Sequence, residues 1–421
     1  MQRKLIQLFV IGFLLNCAVW HPRIVLGQQP PPLDINAESA VLMEVSTGTI
    51  LFESNADKII EPASFTKVLT LYLVFESLQK NLIGLTDDVF ISEKAWRTGG
   101  SKMFVEVDSK VPLEELIKGI AVVSGNDACV AVAEQLYGSV DAFVNALNRK
   151  AKELGMTNSQ FQNPHGLPAE GQVTTARDMA TLDAAYLKRF PNSLKYHSMR
   201  EYTYNNITQH NRNRLLIKDP TVDGLKTGYV AAAGYHLSAT AERDGMRLLA
   251  VVMGAKTPAI REREALKLLN YGFRNYALIQ PFPKDKAVTT IKVWKGLKDS
   301  LDLYPAEEAT LLVKQREKNA VRSEIETPAD VTAPISSQQA IGKVVFYVGD
   351  KPEKSIVLVS HEDIARAGWF KRSWQSIAKI RLPDINWKWL SIILGGIFVL
   401  ALLFMFVLNR RSSRRSRDFR R

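Results

Sequence analysis

The chain has 421 residues, of which 46% are hydrophobic and 23% are charged, with 24 Gly and 18 Pro. This balance is typical of a chain that folds around a core, and it excludes a wholly disordered, collagen-like or low-complexity protein. The presence of only 2 Cys excludes a disulfide scaffold. At about 150 residues per domain, the length predicts roughly two to three domains.

The formal net charge of +12 is concentrated at the two ends of the chain. Residues 1–27 carry +3 and residues 409–421 carry +6, so only +3 remains over residues 28–408. A nucleic-acid-binding protein would carry a basic stripe on its folded body. We therefore expect no nucleic-acid partner and interpret the basic ends as a targeting segment and an anchor.

The first 27 residues have the organisation of a secretory signal peptide. Arg3 and Lys4 precede an apolar run from Leu5 to Trp20, and Val25-Leu26-Gly27 lies at about the right place for cleavage. We predict a signal peptide over residues 1–27. An N-terminal membrane helix that stays uncut is the alternative.

The predicted elements of the following body begin with two strands, 40–45 and 49–53, joined by a short turn. From Ser64 onwards, apolar residues recur at helical spacing, which predicts a helix that packs one face into the core. Two more helices are predicted over 113–123 and 128–136, separated by a turn at Ser124.

Strand patterns return between residues 222 and 253. Strands are predicted over 222–229, 235–240 and 248–253, and Asp244-Gly245 is a strong hairpin signal between the last two. Pro258 then begins an amphipathic helix. Because strands lie at both ends of this stretch and helices lie between them, residues 28–281 are predicted to form an α+β domain in which helices cover an antiparallel sheet.

A second, smaller domain is predicted after Phe282-Pro283. Short runs rich in Val, Ile and Leu predict an all-β domain over 284–362, and they occupy residues 287–294, 309–314, 341–348 and 355–360. A juxtamembrane segment follows over 363–386, with a helix expected over 361–380.

The C-terminus has the pattern of a membrane anchor. Residues 389–408 contain no charge, and a helix of this length is long enough to cross a bilayer. We therefore predict a transmembrane helix over 387–408. The basic tail, 409–421, would stay in the cytoplasm and place residues 28–386 outside. We therefore expect a single-pass protein of the cell (inner) membrane whose catalytic domain is periplasmic or extracytoplasmic. A buried soluble helix is the alternative.

Several kinds of chemistry have little support in the sequence. The 6 His are scattered, without metal-ligand spacing, so no metal and no cofactor is expected. Neither a phosphate-binding glycine loop nor the Gly-x-Ser-x-Gly elbow of α/β-hydrolases occurs.

A serine–lysine pair offers a nucleophile and a base. Ser64-x-x-Lys67 places both side chains on one face of a helix. A lysine amine can remove the serine proton when burial and a second cation lower its pKa. The same spacing recurs at Ser77 and Ser376, where no companion residues accompany it.

Two further motifs make the first one specific. Ser124-x-Asn126 occurs once in the chain, in the predicted turn, and Lys226-Thr227-Gly228 occurs once, on a predicted strand. Each alone would be a helix cap or a strand end. Together and in this order they match the motif set of penicillin-recognising active-serine enzymes.

On these residues the chain resembles the low-molecular-weight penicillin-binding proteins, the serine-type D-Ala-D-Ala carboxypeptidases, from about residue 37 to residue 380. Other blocks that resemble the family are 62–67, 116–120, 124–131, 163–167, 175–179 and 223–228. The resemblance implies a transpeptidase/serine β-lactamase-like domain, a small β domain and a C-terminal membrane attachment. It also implies peptidoglycan stem peptides ending in D-Ala-D-Ala as substrates and β-lactams as inhibitors.

The resemblance also implies a role for each motif residue on the acylation side. Ser64 would be the nucleophile and Lys67 its general base. Ser124 would relay a proton towards the leaving D-alanine, and Asn126 would bind the substrate amide.

The remaining site residues would hold the substrate. Lys226 and Thr227, followed by Gly228, would bind the terminal carboxylate, and Lys226 would help to keep Lys67 neutral. Backbone N–H groups of Ser64 and Tyr229 would form the oxyanion hole. The strand that carries Lys226 could pair with an extended peptide along its edge.

The sequence leaves three other functions open. A β-lactamase needs an acid that activates water, and no convincing Glu-x-x-x-Asn block lies between Asn126 and Lys226. A DD-endopeptidase would use the same groups. A non-catalytic penicillin- or wall-binding scaffold would not need the intact Ser64, Lys67 and Ser124.

The chain departs from the family pattern at two points, and one further block resembles the family. Phe65 stands where many relatives have Met, and the apolar C-terminal run is longer than the usual anchor. Arg177 and Asp178 fall in a family-like block and are expected to form a structural ion pair.

Overall fold

The computed structural model describes residues 33–378 and 387–415. The chain divides after Ala277 into two compact units. The predicted signal peptide and the last residues of the basic tail lie outside the described residues.

The first unit is built on a five-stranded antiparallel sheet with strand order β2-β1-β9-β8-β7. The strands of this unit are β1 (Ser39–Glu44), β2 (Thr49–Ser54), β3 (Asp88–Phe90), β4 (Lys110–Pro112), β5 (Glu201–Tyr204), β6 (Ile207–His210), β7 (Val222–Val230), β8 (Gly234–Arg243) and β9 (Met246–Ala255). The order leaves β7, which carries the Lys226 motif, at an edge of the sheet. The predicted hairpin at Asp244-Gly245 joins β8 to β9, with Arg243 opposite Met246.

Helices cover the sheet, which confirms the predicted α+β architecture. They are α1 (Thr66–Gln79), α2 (Glu93–Arg97), α3 (Leu113–Ala121), α4 (Asn126–Tyr137), α5 (Val140–Glu153), α6 (Ala176–Arg189), α7 (Leu194–His197), α8 (Leu215–Lys218) and α9 (Pro258–Asn275). Both α6 and α9 pack on β9. Nearly every residue of β9 is buried, whichever way it points from the pleat, so both faces of the sheet are covered.

The helix α1 differs from its prediction in two ways. It is buried around its whole circumference rather than on one face, because apolar or small residues also occupy the sides that the helical pattern left out, among them Thr70, Leu71 and Val74. The helix also begins at Thr66, slightly later than expected, after a 3₁₀ turn over Ala63–Phe65. Ser64 and Lys67 therefore lie at the N-terminal end of a helix enclosed by the core.

The second unit is a small β domain, as predicted. Its strands are β10 (Tyr276–Phe282), β11 (Thr289–Trp294), β12 (Ser300–Pro305), β13 (Ala309–Lys314), β14 (Val321–Glu326), β15 (Asp330–Thr332), β16 (Ala340–Val348) and β17 (Lys351–Ser360). Six of these form one sheet in the order β14-β16-β17-β12-β11-β15. Sequence reasoning missed β12, although Leu301, Leu303 and Pro305 alternate with more exposed residues and gave the strand signal.

Two helices follow the β domain. They are α10 (Trp369–Ala378) and α11 (Trp387–Arg415), and α10 is shorter than the helix predicted over 361–380. The predicted transmembrane segment falls within α11. In the part of the chain that the structure describes, no helix combines the length and the apolarity that a membrane crossing needs.

Candidate active site

Ser64 lies in the tight turn that precedes α1. Ala63 has a φ of +49°, a left-handed conformation that residues with a side chain rarely adopt. The Thr66 hydroxyl donates a hydrogen bond to the Ala63 carbonyl over 3.0 Å. Gly166 approaches the same carbonyl so closely that a Cβ on it would lie 1.7 Å from the oxygen. Neighbouring groups on both sides therefore fix the strained turn that presents the serine.

His236 on β8 ties the segment before Ser64 to the sheet. The Gly254 N–H donates to Nδ1 over 3.0 Å, so the ring proton lies on Nε2, which donates to the Glu61 carbonyl over 3.1 Å. Burial lowers the pKa of His236 to about 4, which keeps the ring neutral. Sequence reasoning gave this histidine no role, because its partners lie far away in the chain.

The Lys67 amine lies within hydrogen-bond distance of the Ser64 hydroxyl. Its Nζ lies 3.0 Å from Ser64 Oγ, 2.7 Å from Asn126 Oδ1 and 2.6 Å from the His165 carbonyl oxygen. Three acceptors suit an ammonium. In the neutral amine, two N–H groups can still donate to Asn126 and His165, which leaves the lone pair facing the serine hydroxyl.

Burial is the main cause that lowers the pKa of Lys67, to about 8. The Arg212 charge acts in the same direction, while Cys129 and Asp127 act against it. About a tenth of the Lys67 amine is therefore neutral at pH 7, far more than for an ordinary lysine, and the neutral form is the one that a general base requires.

Ser124 and Asn126 lie where the sequence predicted, at the turn between α3 and α4. Ser124 has a φ of +63° and is buried, and its Oγ has no hydrogen-bond partner among the described residues. Asn126 donates from Nδ2 to the Gly99 carbonyl and from its backbone N–H to the Ser101 carbonyl, both over 2.7 Å. Asn126 thus links Lys67 to the loop on the far side of the cavity.

Asp127 holds that loop in place, a role that sequence reasoning missed. Its carboxylate accepts hydrogen bonds from the backbone N–H groups of Met103 at 3.0 Å, Phe104 at 2.9 Å and Ala128 at 3.0 Å. Acids are common in the first turn of a helix, so the sequence alone gave no sign of the partners in the distant loop.

Replacing Asp127 with Ala is expected to lower the free energy of unfolding by about 2–4 kcal/mol, because the buried N–H groups of Met103 and Val105 and the partly buried N–H group of Phe104 lose their acceptor. Urea unfolding of the purified chain measures this. Asp141, exposed in the first turn of α5, supplies the control: Asp141→Ala should cost about 0.5 kcal/mol or less. Equal losses in the two variants would contradict the assigned role.

Lys226 points into the interior from β7. Its Nζ donates to the Thr227 carbonyl over 2.9 Å, and Gly228 brings the strand so close to the Ser64 turn that a Cβ on it would lie 3.2 Å from Ala63 Cβ. The pKa of Lys226 is lowered well below its ordinary value by burial first and by the Lys67 charge second.

The role predicted for Lys226 beside Lys67 stays a prediction. Burial is the leading cause of the lowered pKa of Lys67, and the Arg212 charge acts in the same direction. The Lys67 charge lowers the pKa of Lys226, and because repulsion between two cations is mutual, Lys226 also disfavours the charged form of Lys67.

Two arginines that sequence reasoning did not single out line the same cavity, Arg212 and Arg261. The Arg261 guanidinium donates to the Gly228 and His236 carbonyls, each over 3.3 Å, and lies 5.6 Å from the Tyr235 ring centroid. Burial lowers the pKa of Arg261 to about 10. No local sequence pattern pointed to Arg212 or Arg261, because they come from separate segments of the chain.

Tyr229 follows the Lys226 motif at the rim. Its ring stacks on Tyr235, the directly opposite residue of β8, with centroids 4.3 Å apart, and 54% of Tyr229 is exposed. The two rings form an aromatic wall beside the serine.

These groups surround a cavity of about 280 Å³. It is lined by Ser64, Gly100, Ser101, Ser124, Asn126, His165, Gly166, Leu167, Pro168, Arg212, Thr227, Gly228, Tyr229, Val230 and Arg261. Lys67 and Lys226 are buried and do not line it. The structure thus brings all the residues of the three motifs to one place. Among the residues that the structure describes, no group of 3 or more His, Cys, Asp or Glu is placed to hold a metal ion.

Arg177 and Asp178 do not pair with each other. Arg177 forms ion pairs with Asp57 at 2.7 Å and Glu53 at 2.9 Å, whereas the Asp178 carboxylate accepts a hydrogen bond from the Ser159 hydroxyl at 2.7 Å. Both residues hold segments of the chain together outside the cavity.

Comparison with known proteins identifies the family. The D-alanyl-D-alanine carboxypeptidase family matches residues 25–257, and the penicillin-binding protein 5 C-terminal domain matches residues 276–366. The D-alanyl-D-alanine carboxypeptidase DacC of Escherichia coli is 39% identical over 351 residues, which cover 82% of this chain and 88% of that protein. DacF of Bacillus subtilis is 38% identical over 349 residues, covering 82% and 90%.

Solved structures agree as well. Penicillin-binding protein 5 from Haemophilus influenzae superposes with a TM-score of 0.70 at 37% identity, over 81% of this chain and 100% of that chain. With a serine–lysine site on an α+β domain and a β domain behind it in the sequence, the chain belongs to the D-alanyl-D-alanine carboxypeptidase family.

Proposed function

We propose that this protein is a serine-type D-Ala-D-Ala carboxypeptidase that removes the terminal D-alanine from peptidoglycan stem pentapeptides through an acyl-serine intermediate. The observation that carries the proposal is the 3.0 Å contact between Lys67 Nζ and Ser64 Oγ, made by a lysine that is fully buried. Trimming the terminal residue limits cross-linking of the cell wall, and penicillins acylate the same serine.

Acylation begins when the neutral Lys67 amine takes the Ser64 hydroxyl proton. Ser64 Oγ attacks the carbonyl carbon of the scissile bond, and the backbone N–H groups of Ser64 and Tyr229 stabilise the oxyanion. Ser124, whose Oγ has no other partner among the described residues, relays this proton from Lys67 to the leaving amine as the C–N bond breaks, so Lys67 is neutral again. Water then attacks the ester, and Lys67 accepts the water proton and returns it to Ser64 Oγ as the ester C–O bond breaks.

Substrate recognition rests on positive charge and on the strand edge. The terminal carboxylate is bound by the Thr227 hydroxyl and by the charges of Lys226, Arg212 and Arg261, which line or underlie the cavity. Asn126 has used Oδ1 and one N–H within the protein, so its second amide N–H remains for the substrate amide.

The test is release of D-alanine from a pentapeptide ending in D-Ala-D-Ala by the full chain in detergent. Ser64→Ala should abolish both D-alanine release and covalent attachment of a fluorescent penicillin. Ser77→Ala is the matched control, because Ser77 lies in the helix that follows Ser64, has the same spacing to a lysine and bonds only to the Leu73 carbonyl. If Ser64→Ala still released D-alanine, the proposed nucleophile would be wrong.

The rate of acylation should rise with pH towards about 8, the value to which burial lowers the pKa of Lys67. Below that pH the ammonium form dominates, and each pH unit lowers the neutral fraction about tenfold. Rates of penicillin attachment between pH 5 and pH 10 measure the profile. A rate that stays constant from pH 6 to pH 9 would exclude Lys67 as the titrating base.

We also propose that the C-terminus attaches the protein to the cell membrane, with the catalytic domain on the extracytoplasmic side. Support comes from the uncharged run 389–408, from exposed apolar side chains of α11 such as Phe398 and Phe404, and from the arginines that follow. Truncation after residue 386 should move the protein from the membrane fraction to the soluble fraction. Retention of the truncated chain would refute the anchor.

We also propose that residues 1–27 are removed as a signal peptide on export. N-terminal sequencing of the protein from its membrane fraction tests this. A first residue at Gln28 is the expected result, and an intact Met1 would favour the uncut helix.

A further inference from the structure

His236 lies on β8, where the sheet meets the turn that carries Ser64, and it is fully buried. In the proposed mechanism, two backbone N–H groups stabilise the oxyanion, one from Ser64 and one from Tyr229. These groups belong to separate segments of the chain, the turn before α1 and the strand β7. The distance between the two segments therefore decides whether both N–H groups can reach the same oxygen.

On the Ser64 side, the His236 ring contacts the chain at two points. Nε2 donates to the Glu61 carbonyl over 3.1 Å, and the ring packs against that of Phe65 with centroids 5.6 Å apart. Among the residues that the structure describes, this is the only hydrogen bond from residues 61–65 to a strand of the five-stranded sheet. Since Ser64 lies between the two contacts in the sequence, the imidazole holds the chain on both sides of the serine.

On the β7 side, His236 is paired with Gly228. The two residues are directly opposite each other in the antiparallel ladder, and a Cβ on Gly228 would lie 3.3 Å from His236 Cδ2. The Arg261 guanidinium donates to the carbonyl oxygens of both residues, each over 3.3 Å. Because Tyr229 follows Gly228 directly, the position of its backbone N–H is tied to His236.

The second ring nitrogen fixes the orientation of the imidazole. The Gly254 N–H on β9 donates to Nδ1 over 3.0 Å, so both ring nitrogens have a hydrogen-bond partner. A buried polar group that loses its partner costs free energy, so any rotation of the ring is unfavourable. The imidazole is therefore a rigid link between the Ser64 turn, β7 and β9.

We propose that His236 is a positioning residue for acylation, whose imidazole sets the distance between the Ser64 and Tyr229 N–H groups that stabilise the oxyanion. The oxyanion exists only from the transition state onwards, so loss of the link should slow acylation and leave the initial binding unchanged. His236 does not line the cavity, so it acts through the two N–H groups. This inference rests on the proposed carboxypeptidase function and adds a residue to its machinery.

Three variants separate the contributions of the two ring nitrogens. In His236→Gln the side-chain amide reaches the position of Nε2 and can donate to the Glu61 carbonyl. In His236→Asn the amide reaches only the position of Nδ1, so it can accept from the Gly254 N–H but leaves the Glu61 carbonyl without its donor. His236→Leu fills much of the same space and loses both hydrogen bonds.

The full chain in detergent is mixed with a fluorescent penicillin at a series of concentrations, which gives the acylation rate constant and the dissociation constant of the initial complex separately. We expect His236→Asn and His236→Leu to lower the acylation rate constant about 10- to 100-fold, as a misplaced oxyanion donor does, with the dissociation constant within about twofold of wild type. His236→Gln should stay within about fivefold of the wild-type rate constant. A small folded fraction lowers the amplitude of labelling and not its rate constant.

His210→Asn is the control, because His210 is exposed on β6 and does not line the cavity. It should change neither constant. Wild-type acylation by His236→Asn or His236→Leu would overturn the proposal, as would a His236→Gln variant as slow as His236→Asn, or a loss confined to the dissociation constant. In all these cases the wild type still acylates and the proposed function stands. Absence of both penicillin attachment and D-alanine release from the wild type would overturn that function and this inference with it.

Discussion

Replacing Lys67 with Met is expected to slow the acylation of Ser64 by a factor between about 10² and 10⁴, the range that a positioned general base contributes. Met fills much of the same buried volume but has no lone-pair amine to take the serine proton. The measurement is the second-order rate of attachment of a fluorescent penicillin, with D-alanine release from a pentapeptide as the second readout.

The Lys67→Arg variant tests whether this position needs a base or only a positive charge. Arginine keeps the charge, but its guanidinium does not lose a proton in proteins, so this variant should be as slow as Lys67→Met. Retention of more than a tenth of the wild-type rate by either folded variant would show that another group deprotonates Ser64.

Replacing Gly166 with Ala is expected to lower the free energy of unfolding by more than about 3 kcal/mol and to abolish acylation, because a steric clash at a strained turn forces the backbone to shift. The new Cβ would lie 1.7 Å from the Ala63 carbonyl oxygen and 2.4 Å from its carbonyl carbon, so the turn that presents Ser64 must move. Urea unfolding and penicillin attachment to the folded fraction measure the two effects.

Gly155→Ala is the matched control for this prediction. Gly155 has a φ of +83°, close to the +85° of Gly166, but no heavy atom lies within 4 Å of the position that a Cβ on it would take. Its cost should be limited to the left-handed conformation, about 1–2 kcal/mol, with normal acylation. If the two variants behaved alike, steric contact with the Ser64 turn would not be what requires Gly166.

The predicted site residues that the structure brings together are those whose motif neighbours are close in the chain. Ser64 and Lys67 lie within one turn of chain, Ser124 and Asn126 within another, and Lys226 lies on a strand that its own pattern predicted. Short-range spacing and a resemblance to known motifs were enough to find them, and the structure places them around one cavity.

The residues that the sequence missed act through distant partners or through their backbone. Asp127 holds N–H groups of a loop more than 20 positions earlier, and His165 contributes a carbonyl oxygen, which any residue type could supply. Arg212 and Arg261 meet at the cavity from different segments. No local pattern encodes such contacts, so they emerge only from the packed chain.

The prediction for α1 failed for a different reason. Helical spacing of Phe65, Val68 and Leu69 predicts an apolar stripe, but it carries no information on how many other helices surround the same segment. Neighbours from α3, α4, α5 and α6 all pack against α1, so its remaining sides are buried too.

The enclosure of α1 ties loss of activity in this enzyme to separation of the helices that surround it. Because Lys67 lies in the fully buried part of the helix, backbone amides of residues 68–74 can exchange with deuterium only when the surrounding helices separate. Partial opening that spares the core leaves Lys67 in place beside Ser64. Heat inactivation and deuterium uptake by this helix should therefore follow the same cooperative transition, and penicillin labelling can serve as a direct reporter of the folded fraction.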